Sequence, residues 1–149
     1  FEAQAGFPCN PSIDSAIPRD TMPTLTTTFA RSFAQEWVAA WNRHDLDAVL
    51  AHYAEDFEFA SPLIRDIAGV ESGALVGKAA VGAYWGLGLQ RIPDLRFDLH
   101  DVLCGVDSLT LYYRGHRGMV AETFQFGADG KVVRAQACYT CGEAGEGRS

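Results

Sequence analysis

Glu122 breaks the pattern of its own surroundings. Val120, Phe124 and Phe126 alternate with Met119, Ala121, Thr123 and Gln125, and the acid falls on the apolar side. A carboxyl among such neighbours loses the water that stabilises its charge, so its pKa is expected to rise. An acid held partly neutral near pH 7 can donate a hydrogen bond to a ligand or exchange a proton with it. The competing reading is an edge strand whose Glu122 points to water or pairs with an arginine. The more polar character of the opposite side argues against it. A turn at Asp129-Gly130 pairs Phe126 with Val133, Phe124 with Ala135 and Glu122 with Ala137. The two alanines then leave room beside the acid, which is what a ligand needs.

Asp101 repeats the case on another strand, sharing a side with Phe97, Leu99 and Leu103. It lies close to that strand's end, where a solvated or turn-capping role competes with a catalytic one. Tyr53 and Ser61 are the hydroxyls expected to position a substrate or a water, and Glu122, Tyr53 and Asp101 are the catalytic candidates. Trp37, Trp41 and Tyr53 fall at helical spacing, which suits plain core as well as the lining of a pocket. Cys138-Tyr139-Thr140-Cys141 is a lone C-x-x-C. It lacks the second ligand pair of a zinc site, and it closes a strand rather than opening a helix as a redox pair would. Cys9, Cys104, Cys138 and Cys141 therefore read as reduced thiols. His44, His52, His100 and His116 show no metal-ligand spacing, so neither a metal nor a cofactor is expected.

Positioning these groups requires helices first and strands afterwards. From Thr26, the residues Phe29, Phe33, Trp37, Ala40, Trp41 and His44 recur at steps of three and four, an aromatic helical stripe. Asp45 caps a second helix with the stripe Leu46, Val49, Leu50 and Tyr53. Phe57 to Ser61 reads as a short strand stopped by Pro62, followed by a long loop. A third helix is expected over 78–90, with Val81, Tyr84 and Trp85 as its apolar side. After Pro93 the period changes to two, and turns at 105–107, 115–118 and 127–130 separate four strands of an antiparallel meander. The order predicts an α+β domain.

Composition bounds the rest. The chain has 149 residues, 48% hydrophobic and 21% charged, which is enough for one domain with a real core. Residues 1–23 carry four of the six prolines and read as an irregular arm; the domain is expected over 24–141 and a flexible tail over 142–149. A formal charge of −7 argues against nucleic acid as a partner. No apolar run is long enough to span a membrane and no secretion signal is evident, so a soluble, cytoplasmic protein is expected.

Four segments carry a family resemblance. They are Ala39-Ala40-Trp41-Asn42-Arg43-His44-Asp45-Leu46-Asp47, then Tyr53-Ala54-Glu55-Asp56-Phe57, then Gly77-Lys78; a fourth runs from Phe124-Gln125-Phe126 through Asp129-Gly130-Lys131-Val132-Val133. In this order the chain resembles the nuclear transport factor 2-like superfamily, in its SnoaL-like branch. Ketosteroid isomerase, scytalone dehydratase and limonene epoxide hydrolase are relatives of that branch. The resemblance implies a cone-shaped α+β barrel, with three N-terminal helices packed on a strongly curved, mostly antiparallel sheet around a deep apolar pocket. It also implies a homodimer through the outer face of the sheet. By that resemblance Tyr53 matches the isomerase's pocket tyrosine and Glu122 its protonated second Asp, a neutral acid for which the isomerase is the standard example. Ser61 stands in place of its proton-shuttling Asp, and Trp37 in place of its oxyanion-hole Tyr. Ala137 occupies the final-strand Asp position of the epoxide hydrolase. The chain thus keeps the acid and lacks the partners of both known constellations.

The expected function is proton-transfer chemistry on a small, largely apolar molecule, of an isomerase, dehydratase or epoxide-hydrolase kind. The substrate contacts are expected from Trp37, Trp41, Phe59, Ser61, Tyr84, Leu99, Tyr113, Phe124, Ala137 and Tyr139. The alternatives are a non-catalytic module for a hydrophobic ligand, and an association module using the outward Tyr112, Arg114, Gln125, Arg134 and Gln136.

Overall fold

The aromatic stripe folds into helix α1, Thr27–Asn42, with Thr26 accepting a hydrogen bond from the Phe29 N–H at its start. A computed structural model describes residues 25–142. The arm expected over 1–23, Cys9 within it, and the tail beyond Gly142 lie outside the described residues. The stripe buries Phe33, Trp37 and Trp41 together with Ala30, Ala34 and Ala40. Asp45 caps the short helix α2, Leu46–Leu50, by accepting from the Ala48 N–H at 3.1 Å.

Tyr53 is not the end of that helix. It opens strand β1, Tyr53–Ala60, so its place in an apolar helical stripe was coincidental with the period of the preceding turn. The loop expected after Pro62 contains helix α3, Pro62–Ala68, and strand β2, Ala74–Val76. Ser61 accepts from the Leu63 N–H, Pro62 takes the first turn, where its missing N–H costs nothing, and Gly69 ends the helix at φ 70. Helix α4, Lys78–Arg91, buries Val81 and Trp85. Gly82 lets it approach α2, since a Cβ there would stand 3.1 Å from a methyl of Leu50. The described residues thus hold four helices rather than three, with β1 and β2 interposed among them.

Four strands complete the chain: β3 Asp98–Cys104, β4 Ser108–Gly115, β5 Gly118–Phe126 and β6 Val132–Tyr139. The six form one curved sheet in the order β2-β1-β6-β5-β4-β3, antiparallel throughout except between β1 and β6. The fold is α+β, as the switch of period implied.

Two of the three register shifts in the sheet change the pairing that simple alternation gives. Glu122 pairs with Ala137 and Phe124 with Ala135, but a shift after Gln125 pairs Phe126 with Val132 rather than Val133. Val132 is accordingly buried and Val133 exposed. In β3 the shift falls between Leu99 and Asp101: Leu99 pairs with Tyr113, and the next pairs are Asp101 with Tyr112 and Val102 with Leu111. The extra residue inverts the sides beyond it. Asp101 and Leu103 therefore face solvent, and Val102 turns in.

Candidate functional site

The concave side of β4, β5 and β6 meets α1 through rings and small side chains. Trp37 packs edge-on to Phe124 and Tyr113, and lies nearly parallel to Phe97 at 5.6 Å. Glu122 stands within this layer and is 4% exposed. Tyr113, diagonal to it across the β4–β5 pair, donates its hydroxyl to Glu122 Oε1 at 2.8 Å. The second oxygen, Oε2, has no partner.

Burial pushes the Glu122 carboxyl from its ordinary 4.5 up to about 7, and the hydrogen bond from Tyr113 opposes the rise. The tyrosines around it are displaced as well. Burial first, and then the charge of Glu122, hold the hydroxyls of Tyr53 and Tyr113 well above the ordinary tyrosine value. Tyr139 is raised by burial against the opposing bond from Ser61. Burial takes Tyr84 to about 12, with Arg117 opposing. All four phenols are therefore neutral at neutral pH, and Glu122 alone of this group titrates there.

A pocket of about 120 Å³ opens beside the acid. Its inner wall is Glu122, Tyr113, Trp37, Trp41, Phe59 and Trp85, all buried; its outer wall, half-buried, comes from α3, α4 and the 92–97 segment. That segment is fastened to the end of α1 by side chains. Asn42 donates to the Phe97 carbonyl at 3.0 Å and accepts from the Phe97 N–H at 2.7 Å. His44 holds the Leu95 carbonyl at 2.9 Å through Nε2. Its backbone lies in the left-handed region at φ 58, a conformation costing on the order of 1 kcal/mol that this contact offsets. The Asn42–His44 turn thus sets Leu95 and Phe97 against the pocket.

Of the thirteen residues singled out from the sequence, the structure brings Glu122, Trp37, Trp41, Phe59, Tyr84, Tyr113 and Tyr139 to the pocket wall. Others lie behind it. Tyr53, 1% exposed, accepts from the Trp37 indole N–H at 2.9 Å and supports that ring from below. Ser61 reaches the Tyr139 hydroxyl at 3.4 Å while capping α3. Phe124 and Ala137 are buried in the layer beneath, and Leu99 is half-buried outside the pocket. Asp101 is corrected: the β3 bulge places it in solvent, where its carboxylate accepts from the N–H of Val102.

Sequence reasoning missed Leu63 and Ile67, which come from the unforeseen α3, and Leu89, Ile92 and Leu95 around the end of α4. The Ser61-Pro62 start and Gly69 stop were the available signals. Two buried side-chain polar atoms among the described residues have no partner, Glu122 Oε2 and Trp41 Nε1, and both residues line this pocket.

On the outer face of the sheet Tyr112, Arg114, Gln125, Arg134 and Gln136 are exposed. Among the described residues no helix is long and apolar enough to cross a membrane.

A family model for the SnoaL-like domain matches residues 34–141. Among solved structures, a SnoaL-like protein of unknown function from Burkholderia thailandensis is 51% identical, covering 80% of this chain and 100% of its own, with a TM-score of 0.77. The epoxide hydrolase/cyclase-like enzyme SalBIII, of pyran ring formation in the polyether salinomycin, shares 16% identity over 76% of this chain and 92% of its own, with a TM-score of 0.59. TerC, co-crystallised with polyporic acid, shares 16% over 75% and 92%, with a TM-score of 0.58. These last two are likenesses of fold. A comparison with curated proteins finds no match. Matched over most of its length, the chain belongs to the SnoaL-like domain family, within the nuclear transport factor 2-like superfamily.

Proposed function

We propose that this chain is an enzyme of proton transfer, acting on a small, largely apolar molecule held in the pocket beside Glu122. The observation that carries the reading is the state of that carboxyl: buried, bonded through one oxygen to Tyr113, unpartnered at the other, and poised near 7. An acid whose two forms are both populated at neutral pH can give or take a proton with little driving force lost either way. The apolar rings around it exclude the water that would compete for that proton. Tyr113 supplies a neutral donor to the acid, Trp37 and Tyr53 brace the wall, and Tyr139 with Ser61 orients the substrate from the α3 side. The polar outer face of the sheet suits pairing with a second copy of the chain, which leaves the pocket free.

A non-catalytic module for a hydrophobic ligand is the second reading. It is favoured by Asp101 lying in solvent, which leaves Glu122 as the carboxyl of the pocket wall. Turnover separates the two. A panel of cyclic ketones, secondary alcohols and epoxides is incubated with the protein in deuterated water, and isomerisation, dehydration, ring opening or deuterium uptake is followed by NMR. Reaction of one class, lost at least a hundredfold in Glu122→Gln while that compound still binds, is the expected result. Binding without reaction, equal in both proteins, leaves the binding module. A Glu122 carboxyl titrating at the ordinary value would defeat the enzymatic reading.

A further inference from the structure

Helix α4 carries three glycines, Gly82, Gly86 and Gly88, and the first two face α2. A Cβ on Gly82 would stand 3.1 Å from a methyl of Leu50, and one on Gly86 would touch a methyl of Leu46 at 3.6 Å. Gly88 differs: a Cβ there would meet nothing within 4 Å. Its backbone does not call for glycine either. It lies outside the left-handed region, and its carbonyl accepts from the Ile92 N–H at 2.9 Å, as in any helix. Glycine inside a helix is destabilising relative to alanine. This position therefore gives up stability that alanine would supply without a clash.

The open space lies on the inward side of the helix. Val81, Trp85, Gly88 and Ile92 follow one another at steps of four, three and four residues, which puts them on one face. Val81 and Trp85 are buried there, while Ala79, Ala83 and Gln90 on the far side are exposed. Tyr84, one turn before Gly88, and Ile92, one turn after it, both line the pocket beside Glu122, and so does Gly88 itself. Bare backbone thus interrupts a wall that α4 otherwise builds from the large side chains of Tyr84, Trp85 and Leu89. The pocket's volume of about 120 Å³ is near the roughly 150 Å³ at which an apolar cavity takes up benzene, so a single ring is the scale of its occupant.

We propose that Gly88 is the specificity-determining position of this pocket: a single-ring, largely apolar ligand lies against the bare turn of α4, and a side chain there would take its place. The assignment rests on the pocket beside Glu122 being a ligand site, and it adds the size class that the site accepts. A glycine serving the packing of helices would have a neighbour at contact distance, as Gly82 and Gly86 do.

The test sets Gly88→Ala, Gly88→Leu and Gly86→Ala, each in the full chain, against the parent. Thermal unfolding reads stability, and NMR titration with cyclopentanone and cyclohexanone reads binding through the Tyr113 and Glu122 resonances. Both alanine variants are expected to raise Tm by about 2–4 °C. Gly86→Ala should keep both affinities within about twofold of the parent's. The parent is expected to bind cyclohexanone about fourfold tighter than cyclopentanone, the worth of one more buried methylene. In Gly88→Ala the order should reverse, because the added methyl weakens cyclohexanone about tenfold and spares the smaller ring. Gly88→Leu should lose cyclohexanone by about a hundredfold or more, with a Tm no lower than the parent's. Unchanged affinities for both ketones in the two Gly88 variants would overturn the assignment and leave the site reading standing. A lower Tm in Gly88→Ala overturns it as well, since the methyl would then have met a neighbour rather than open space. If Gly88→Leu does not fold, Gly88→Ala decides alone. A parent in which neither ketone perturbs Tyr113 or Glu122 removes both readings.

Discussion

Two strands of this sheet each carry an acid within an alternating apolar run, and the sheet treats them oppositely. Glu122 sits in β5, which has a partner on both sides and an unbroken pairing with β4 from Gly118 to Gln125. Asp101 sits in β3, an edge strand with a bulge two residues into its ladder. The unbroken register carries the apolar side of β5 inward for its whole length. In β3 one extra residue reverses the sides, so Asp101 reaches water and Leu103 is left 52% exposed. Alternation alone thus reports a buried acid only where neighbours on both edges hold the register. At an edge it reports only as far as the first irregularity.

Three substitutions sharpen that contrast. The largest effect is expected from Glu122→Gln, which keeps the shape and removes the titration. The folded value of about 7 lies above the ordinary 4.5, so the folded state holds an extra proton between these limits. Stability of the unmodified protein therefore declines as pH rises through that window and levels off above it, by roughly 3 kcal/mol in all. Urea unfolding at pH 4.5 and pH 8 should show the Gln variant gaining about that much over the parent between the two conditions. Equal slopes for the two proteins would mean that the Glu122 carboxyl is solvated rather than buried.

A smaller effect is expected from Tyr113→Phe. Losing the phenol removes the one influence that opposes burial, so the Glu122 titration moves above 7, and stability falls by about 1–2 kcal/mol. Carbon-13 NMR of the carboxyl reads the first change and chemical denaturation the second. A titration moving downward would mean that water or another donor has replaced the phenol. The smallest effect is expected from Asp101→Asn. The amide oxygen can still accept from the N–H of Val102, and stability at pH 7 should stay within about 0.5 kcal/mol of the parent. A larger loss would show the edge strand depending on that charge.

Much of this was legible from residue order. The helical stripe, the change to period two after Pro93, and the Glu122–Ala137 and Phe124–Ala135 pairs follow from side-chain periodicity, a local property. The pocket was legible in part. Its floor comes from long periodic elements, and Glu122, Trp37 and Tyr113 were named from them. Its rim comes from a seven-residue helix, Pro62–Ala68, and from the irregular 92–97 segment. Neither is long enough to show a period. Their positions depend on distant contacts instead: the Ser61 hydroxyl on Tyr139, and Asn42 and His44 on the backbone at Phe97 and Leu95. Bulges are equally silent, because an inserted residue in a strand looks like any other residue until the partner strand is in place. Tyr53 satisfied a helical spacing and a strand start at once, and only the hydrogen bonding of β1 distinguished them.

The strand order β2-β1-β6-β5-β4-β3 has a consequence for how the chain is made. Among the described residues the first strand to leave the ribosome, β1, finds its parallel neighbour in the last of the six, residues 132–139. Until then one edge of β1 has no partner, and Phe57 and Phe59 have only a half-built sheet to pack on. Nearly the whole domain must emerge before its aromatic interior can shut, so folding is a late and concerted event rather than a stepwise one.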